Sequence, residues 1–310
     1  MKAVRLDSAT AVCLPATFRE VVDEIARFTD LPRDEVEQRV WMQALEPGSN
    51  VLEEVARFGV TPHEYDARMA RLYREGVGFI FETMVFWAKP MRSRWSAEAL
   101  DRIRRYAERT HRRLDEVEVL VLGDGAGNDS LLFARHGLRV HYFDVPGSRT
   151  FEFAMRRFEY YGLLGNRIRP VPDYASCLER TYDVVVCFEV LEHLPEPVQA
   201  IADIGAMVTR GGVALITEDF GNIVARLPTH VRTSATLAGK TPFLFLKRGM
   251  ALAWYSRALP FKPMEFEKVN RVSIVHRCRL WSDARIRGAY LHRYLSVLTR
   301  RLDKLPYLGG

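Results

Sequence analysis

Three glycines alternate with other residues in one short turn, and this turn is the first place where the sequence predicts chemistry. Gly123, Gly125 and Gly127 follow the apolar, partly β-branched run Val117–Leu122, which is typical of a buried strand, and a helical pattern begins at Leu131. Glycine lets the chain bend sharply and lets a ligand approach the backbone without a Cβ in the way. We therefore predict that Gly123 and Gly125 border a ligand and that Gly127 allows close packing of the helix.

An acidic residue after the next predicted strand strengthens the prediction of a nucleotide site. Arg139–Phe143 reads as a short strand, and Asp144 follows it, 21 positions after Gly123. In nucleotide-binding βαβ units, a carboxylate about 20 residues after the first glycine meets the ribose hydroxyls. A dinucleotide enzyme is the alternative, but its GxGxxG spacing is absent from this turn. We therefore expect Asp144 to bind a ribose.

Strands and helices alternate through the middle of the chain, and this pattern predicts the fold that positions these residues. Tyr182–Phe188 and Val213–Thr217 read as buried strands, with a helix between them at residues 197–208. Such alternation is typical of an α/β protein with a Rossmann-like, doubly wound and mostly parallel sheet. Ligands bind such sheets at the carboxyl ends of the strands, which is where the glycine turn and Asp144 lie.

Two stretches of this region resemble the class I S-adenosylmethionine-dependent methyltransferases. They are LGDGAG…FD, which ends at Asp144, and YDVVVCFEVLEHL, which begins at Tyr182. The resemblance covers roughly Val117 to Thr217, about a third of the chain. In this family an acid often stands where this chain has Val121, so the contacts of that carboxylate must come from elsewhere or from water.

The resemblance implies a set of cofactor-binding residues and S-adenosylmethionine as the cofactor. The glycine turn would lie beside the methionine part of the cofactor, Asp144 would hold the ribose hydroxyls, and Asp173 would face the adenine amine. The remaining candidates lie in the same turn or at the end of the fourth strand. The full set is Gly123, Asp124, Gly125, Gly127, Asp144, Asp173, Phe188 and Glu189.

Methyl transfer from a sulfonium needs mainly alignment and exclusion of water, because the cofactor is already activated. A hydroxyl acceptor also needs a general base within hydrogen-bond reach. The candidates for binding the acceptor or accepting its proton follow the fourth and fifth strands, and they are His193, Glu218, Asp219 and His230, with Glu189 nearby. His193 is attractive because an unperturbed imidazole has a pKa of about 6.5.

The four cysteines have no CxxC spacing, so we expect no metal site.

The N-terminal region, residues 1–115, is predicted to be a helical cap over the cofactor domain at residues 116–310. The aromatic segment at 79–87 is expected to form mainly the core of the cap, with Phe86 or Trp87 on a pocket wall as the alternative. Ser96 is predicted to begin a basic helix, Ala97–Arg113. The cap would help to form a substrate pocket or a surface for a homodimer.

Residues 221–264 do not fit a minimal sheet and are predicted to form a helical lid. Glu265–Val269 and Val272–Leu280 are expected to form the closing antiparallel hairpin, because the family usually ends with one. A final basic helix is predicted at Asp283–Leu305.

Composition and charge narrow the classes of acceptor. The chain has 310 residues, of which 48% are hydrophobic, and no apolar run approaches the ~18 residues of a membrane span. We expect a cytoplasmic enzyme with no membrane partner. The net charge is −2 over residues 1–120, −5 over residues 121–220 and +13 over residues 221–310.

Three functions remain open on the sequence. The first is a methyltransferase for the nitrogen or oxygen of a small polar metabolite, such as an amino sugar or an antibiotic-type natural product. The second is an RNA methyltransferase whose basic C-terminal region contacts phosphates, although neither an NPPY-like tetrapeptide nor an RNA-binding module is present. The third is a non-catalytic scaffold, which the intact glycines and Asp144 argue against. We favour the first and expect no nucleic-acid partner.

Overall fold

The computed structural model describes residues 14–15, 17–258 and 260–269. The predicted strand Val272–Leu280 and the predicted helix Asp283–Leu305 therefore lie outside the described residues. None of the described helices is long and apolar enough to cross a membrane.

A seven-stranded sheet forms the centre of the described part of the chain, in the order β3-β2-β1-β4-β5-β7-β6. The strands are β1 (Glu118–Leu122), β2 (Arg139–Phe143), β3 (Ile168–Pro170), β4 (Tyr182–Phe188), β5 (Val208–Thr217), β6 (Met250–Tyr255) and β7 (Met264–Lys268). The first five pair in parallel, whereas β7 is antiparallel to both β5 and β6. The predicted Rossmann-like, mostly parallel sheet is confirmed.

The closing hairpin differs from the prediction in its first strand. The segment predicted at Glu265–Val269 forms β7, which pairs with β5 and with β6, and β6 precedes it in the chain. Residues 221–264 are therefore not wholly a helical lid, because Met250–Tyr255 completes the edge of the sheet. A register shift between Leu252 and Trp254 interrupts the pairing, and the strand lacks the regular alternation that would have predicted it. The rest of the segment contains a 3₁₀ helix (Arg232–Leu237) and α11 (Thr241–Lys247).

Helices cover both faces of the sheet. Those that follow β1 to β4 are α7 (Asn128–Arg135), α8 (Arg149–Tyr160), α9 (Tyr174–Leu178) and α10 (Pro197–Met207). One core lies between the sheet and helices α7 and α8, and the other packs the opposite face of the sheet against α10 and α11. The strands are buried on both faces, which explains why their sequences are continuous apolar runs rather than alternating ones.

The N-terminal region is helical, as predicted. It comprises α1 (Phe18–Phe28), α2 (Arg33–Leu45), α3 (Ser49–Phe58), α4 (Ala67–Glu75), α5 (Gly78–Ala88) and α6 (Pro90–Arg109). Helix α5 is apolar on all sides because α1, α2, α3 and α8 surround it. Helix α6 packs into the same core as β1 and α7.

The predicted start of the last of these helices at Ser96 is wrong. Helix α6 begins six residues earlier with Pro90 at its first position, where proline is well tolerated because no intrahelical N–H bond is lost. Ser96 lies inside the helix, fully buried, and its hydroxyl contacts Asp129 of α7. A serine that resembled a cap thus joins two helices.

Candidate active site

A cavity of about 630 Å³ lies at the carboxyl ends of the parallel strands. Its floor is formed where β1, β2, β4 and β5 end, and its roof comes from α5, the start of α6 and the loop after β5. This is the position at which open α/β sheets bind their ligands.

The three glycines of the turn have two different roles. Gly123 and Gly125 line the cavity with positive φ angles of 74° and 55°, a conformation that side chains rarely adopt. A Cβ at Gly123 would lie 2.5 Å from Cγ2 of Val190. Gly127 lies outside the lining, and a Cβ there would lie 2.4 Å from the ring of Phe158 on α8. Gly127 therefore allows helices to pack closely, while the other two shape the cavity.

Asp144 borders the cavity at the end of β2. Its carboxylate accepts hydrogen bonds from the backbone N–H groups of Gly125 (2.6 Å) and Val145 (2.7 Å). Burial raises the pKa of Asp144, although these two hydrogen bonds oppose the shift. The contact with Gly125 holds the carboxylate beside the glycine turn. Its role as a ribose ligand stays a prediction.

The other two predicted aspartates serve first as helix caps. Asp124 lines the cavity and accepts hydrogen bonds from the N–H groups of Asp129 (3.0 Å) and Ser130 (2.7 Å) in the first turn of α7. Burial, together with the nearby Asp129 charge, raises the pKa of Asp124 to about 7. Asp173 caps α9 by accepting from Ser176 N–H (2.7 Å) and is not part of the lining, whereas Tyr174 is. The structure thus does not bring Asp173 to the cavity.

The end of β4 carries an ion pair that the sequence did not predict. Glu189 has a φ of 54°, and its carboxylate accepts a hydrogen bond from Nζ of Lys262 at 3.0 Å. Burial raises the pKa of Glu189, and the lysine charge opposes this. Burial would lower the pKa of Lys262, but Glu189 and neighbouring carboxylates raise it above its usual range. Phe188 precedes the pair and faces the Arg92 guanidinium, 5.3 Å from the ring centroid.

The two acids after β5 border the cavity, but the loop that follows them uses their oxygens. Glu218 is buried and accepts hydrogen bonds from Phe220 N–H (2.7 Å) and from the hydroxyl of Thr241 (2.9 Å). Asp219 accepts from the amide of Asn222 at 2.6 Å. Both therefore stabilise the loop that forms the roof, and their predicted contact with an acceptor stays a prediction.

His193 and His230 lie side by side, with ring centroids 4.8 Å apart. Burial lowers the pKa of His193 to about 3 and that of His230 to about 4. The expected pKa near 6.5 is therefore wrong for His193, because its ring is desolvated beside a second imidazole. Both rings are neutral at pH 7, and with these pKa values neither is a strong base.

The cavity wall also contains residues that the sequence did not single out. Glu192 is one of them, and it lies beside the two histidines. The aromatic wall comes from the helical region and includes both Phe86 and Trp87, the alternative raised for that segment. The larger set is Tyr65, Tyr73, Phe79, Phe86, Trp87 and Trp95. The helical spacing of α5 could identify its buried side, but only the packing of α5 over the sheet shows which residues meet the ligand.

Residues 91–283 match a model of the methyltransferase domain family. Two curated relatives are ubiquinone biosynthesis O-methyltransferases. The one from Methylocella silvestris is 32% identical over 171 residues, which is 54% of this chain and 63% of that protein. The one from Vibrio parahaemolyticus is 34% identical over 96 residues, or 31% of this chain and 40% of that protein. The matches thus span less than two thirds of either relative.

Among solved structures, the DszA carbon methyltransferase has a similar fold. The TM-score is 0.50 and the sequence identity 15%, over 77% of this chain and 71% of that one. At this identity the likeness supports the fold alone.

Proposed function

The chain belongs to the methyltransferase domain family, and we propose that it transfers the methyl group of S-adenosylmethionine to a small polar metabolite. The resemblance of LGDGAG and FEVLEHL to the class I S-adenosylmethionine-dependent enzymes agrees with the family match. S-adenosylmethionine is the cofactor of that family. The acceptor atom in this proposal is an oxygen or a nitrogen.

One observation carries the proposal. A single cavity joins the glycine turn and Asp144 at one side to the acids and imidazoles after β4 and β5 at the other. A nucleoside held at Gly123, Gly125 and Asp144 would share that cavity with the acceptor. Since methyl transfer depends on holding the two reacting atoms in line and excluding water, a shared cavity roofed by helices meets its main requirement.

The walls favour an acceptor with a flat or apolar body and one polar group. Aromatic rings from α5 and the start of α6 offer apolar and π surfaces, and carboxylates such as Glu82 and Glu189 lie among them. A cationic amine would suit rings and carboxylates together, which keeps an amino sugar or a related natural product within the proposal. The names of the curated relatives favour an oxygen acceptor.

The residues of the chain have separable tasks in this reaction. Asp144 and the N–H groups of the glycine turn would position the nucleoside. Lys262 holds Glu189 in place beside the cofactor end of the cavity. The neutral imidazoles of His193 and His230 are weak bases, so an acceptor hydroxyl needs a further group that promotes loss of its proton. An amine that binds in its neutral form needs no strong base.

Calorimetry and labelled methyl transfer test the proposal. The full chain is expected to bind S-adenosylmethionine and its demethylated product, S-adenosylhomocysteine. With methyl-labelled cofactor, it is expected to label some members of a panel of phenols, catechols and amino sugars. A parallel reaction with unlabelled cofactor adds 14 mass units to the product, and fragmentation of that product would identify the acceptor atom. Failure to bind either nucleoside would contradict the proposal.

A further inference from the structure

Glu192, His193 and His230 converge on one point of the cavity wall. One oxygen or nitrogen atom from each of the three side chains lies within 4.8 Å of the others. Glu192 and His193 belong to the 3₁₀ turn Leu191–His193 after β4, and His230 comes from the loop after β5. All three line the cavity, so two segments far apart in sequence bring two imidazoles and a carboxylate together.

The carboxylate of Glu192 has no hydrogen-bond partner on another described residue. Its side chain is fully buried, with 0% exposure, and neither oxygen accepts a hydrogen bond. The neighbouring Glu189 differs, because Lys262 neutralises it at 3.0 Å. Burying an unpaired carboxylate is costly unless a cation or a donor compensates it.

Backbone contacts orient the two imidazoles. Nδ1 of His193 lies 3.2 Å from the carbonyl oxygen of Thr229, and since a carbonyl only accepts, Nδ1 carries the proton and Nε2 keeps a lone pair. The backbone of Asn222 forms a hydrogen bond with the His230 ring, while Nδ1 of His230 is buried and unpartnered. A hydrogen bond from one ring nitrogen to a backbone carbonyl is the usual support of a metal-binding histidine.

The loop that carries His230 is also fixed from both sides. The N–H of Val231 donates to the carbonyl oxygen of Glu192 (2.9 Å), and Nδ1 of His63 lies 3.0 Å from the carbonyl oxygen of His230. The helical region and the turn after β4 therefore hold the loop in place.

We propose that Glu192, His193 and His230 bind one divalent first-row transition-metal ion, such as zinc or manganese. Two neutral imidazoles and one carboxylate suit these ions, whereas magnesium and calcium prefer sites built from oxygen. The ion would give the Glu192 carboxylate the direct contact that it lacks. The proposal departs from the expectation, drawn from cysteine spacing, that the chain has no metal site, because cysteine takes no part in it.

Three protein ligands leave coordination positions open toward the cavity. An oxygen of the acceptor could occupy one of them, and a metal-bound hydroxyl ionises far more readily than a free one. The ion would then promote loss of the acceptor's proton, which neutral imidazoles promote only weakly. This extension rests on the proposed function, whereas metal binding itself does not.

The test measures metal binding without cofactor or acceptor, so that its failure is distinguishable from failure of methyl transfer. Untagged full-length protein is stripped with a chelator and titrated with Zn²⁺, Mn²⁺ and Mg²⁺ by calorimetry. Co²⁺ serves as a spectroscopic probe of imidazole and carboxylate ligation. We expect one Zn²⁺ or Mn²⁺ per chain, a higher unfolding temperature with the ion, and much weaker binding of Mg²⁺.

Glu192→Gln and His230→Gln remove one ligand each with little change of shape. Each is expected to weaken metal binding by more than the 10- to 100-fold that loss of a mere supporting group costs. His141→Gln is the matched control, because His141 is equally buried but pairs with Glu118 on the sheet. Circular dichroism and S-adenosylhomocysteine binding show that each variant is folded. Stoichiometric binding that is unchanged in both ligand variants, or no binding by the parent protein, would overturn the proposal.

Discussion

At the scale of single residues, the cavity combines charges that are compensated in different ways. Glu189 is paired with Lys262, Asp144 and Asp124 accept backbone N–H groups, and Glu192 has no hydrogen-bond partner on another described residue. Desolvation raises the pKa of each of these carboxyl groups, so their local donors decide how readily each one ionises. These differences allow each acid to be tested separately.

Asp144 and Asp173 give opposite expectations for cofactor binding. Asp144 lies beside Gly125 in the cavity, whereas Asp173 caps α9 outside it. Losing a charged acceptor costs ~1.5–3 kcal/mol, so Asp144→Ala is expected to weaken S-adenosylhomocysteine binding by about 10- to 150-fold. Asp173→Ala is the matched control and should leave the affinity unchanged. Calorimetry measures the affinity of both variants for S-adenosylhomocysteine. Equal affinities for Asp144→Ala and the parent protein would show that Asp144 is not part of the cofactor site.

The carboxyl group of Glu82 on α5 is expected to make the stability of the cofactor-free protein depend on pH. Burial raises the pKa of Glu82 from 4.5 to about 7, so between these values the folded chain keeps a proton that the unfolded chain has lost. Stability from this group is complete below about pH 4.5 and is lost as the pH rises toward 7. Relative to the parent protein, Glu82→Gln should therefore gain roughly 2–3 kcal/mol between pH 4.5 and 8.

Denaturant unfolding at a series of pH values measures this difference. Titration of other groups such as Asp124 cancels, because it occurs in both proteins. Glu37→Gln, at an exposed position on α2, is the control and should show a difference that is small at every pH. A Glu82→Gln difference that is flat across this range would contradict the assigned shift.

At the scale of elements, a buried ion pair joins α6 to α7 behind the glycine turn. Nη2 of Arg92 lies 2.5 Å from Oδ2 of Asp129, with side-chain exposures of 10% and 2%, and Nη1 contacts Ser96 at 2.6 Å. Removing one partner leaves a buried charge without compensation, so Arg92→Ala is expected to destabilise the fold by about 3–5 kcal/mol. Arg105→Ala removes an exposed pair with Asp101 on the same helix and should cost less than ~1 kcal/mol. Denaturant midpoints of the two variants test the contrast.

The sequence predicted the parallel strands and their turns because those signals are local. The signals were alternating glycines, apolar runs and the position of Asp144, and each involves only a few neighbouring residues. The Rossmann-like sheet that they predicted is confirmed. Features that depend on distant contacts were missed. Lys262 reaches Glu189 across 73 positions, and Ser96 has the sequence of a cap but contacts α7. Strand β6 is specified by its pairing with β7 rather than by a pattern of its own.

The site shows the same division between local and distant signals. The turn after β4 could be recognised from FEVLEHL, but the position of His230 beside Glu192 depends on the loop after β5, which is distant in sequence. The low pKa values of the two imidazoles come mainly from burial, and the nearby His230 lowers that of His193 further. Sequence spacing contains no information on that burial.

At the scale of the whole molecule, the helical region and the sheet share contacts on both sides of the cavity. Arg157 of α8 donates to Glu24 of α1 at 2.9 Å, and both side chains are buried. His63 also contacts the loop that carries His230. The division of the chain into a cap at residues 1–115 and a cofactor domain at residues 116–310 stays a proposal. Helix α6, which this division assigns to the cap, packs into the same hydrophobic core as the sheet. It therefore contributes to the packing of both parts.

The charge of the whole chain leads to the last prediction, that nucleic acid is not the acceptor. Residues 221–310 carry +13, and a surface of that charge would bind phosphates, with affinity falling about 10³-fold or more between 50 and 200 mM salt for six contacts. The described cavity instead is roofed by helices, and aromatic rings and several carboxylates line it together with a few cationic side chains, which suits a small acceptor better than a phosphate backbone. We therefore expect RNA and DNA duplexes to bind weakly at 200 mM salt and to incorporate no labelled methyl group at either salt concentration. S-adenosylhomocysteine binding measured at both concentrations is the control for an intact site. Tight duplex binding at 200 mM together with methyl incorporation would instead make nucleic acid the acceptor and the basic region its docking surface.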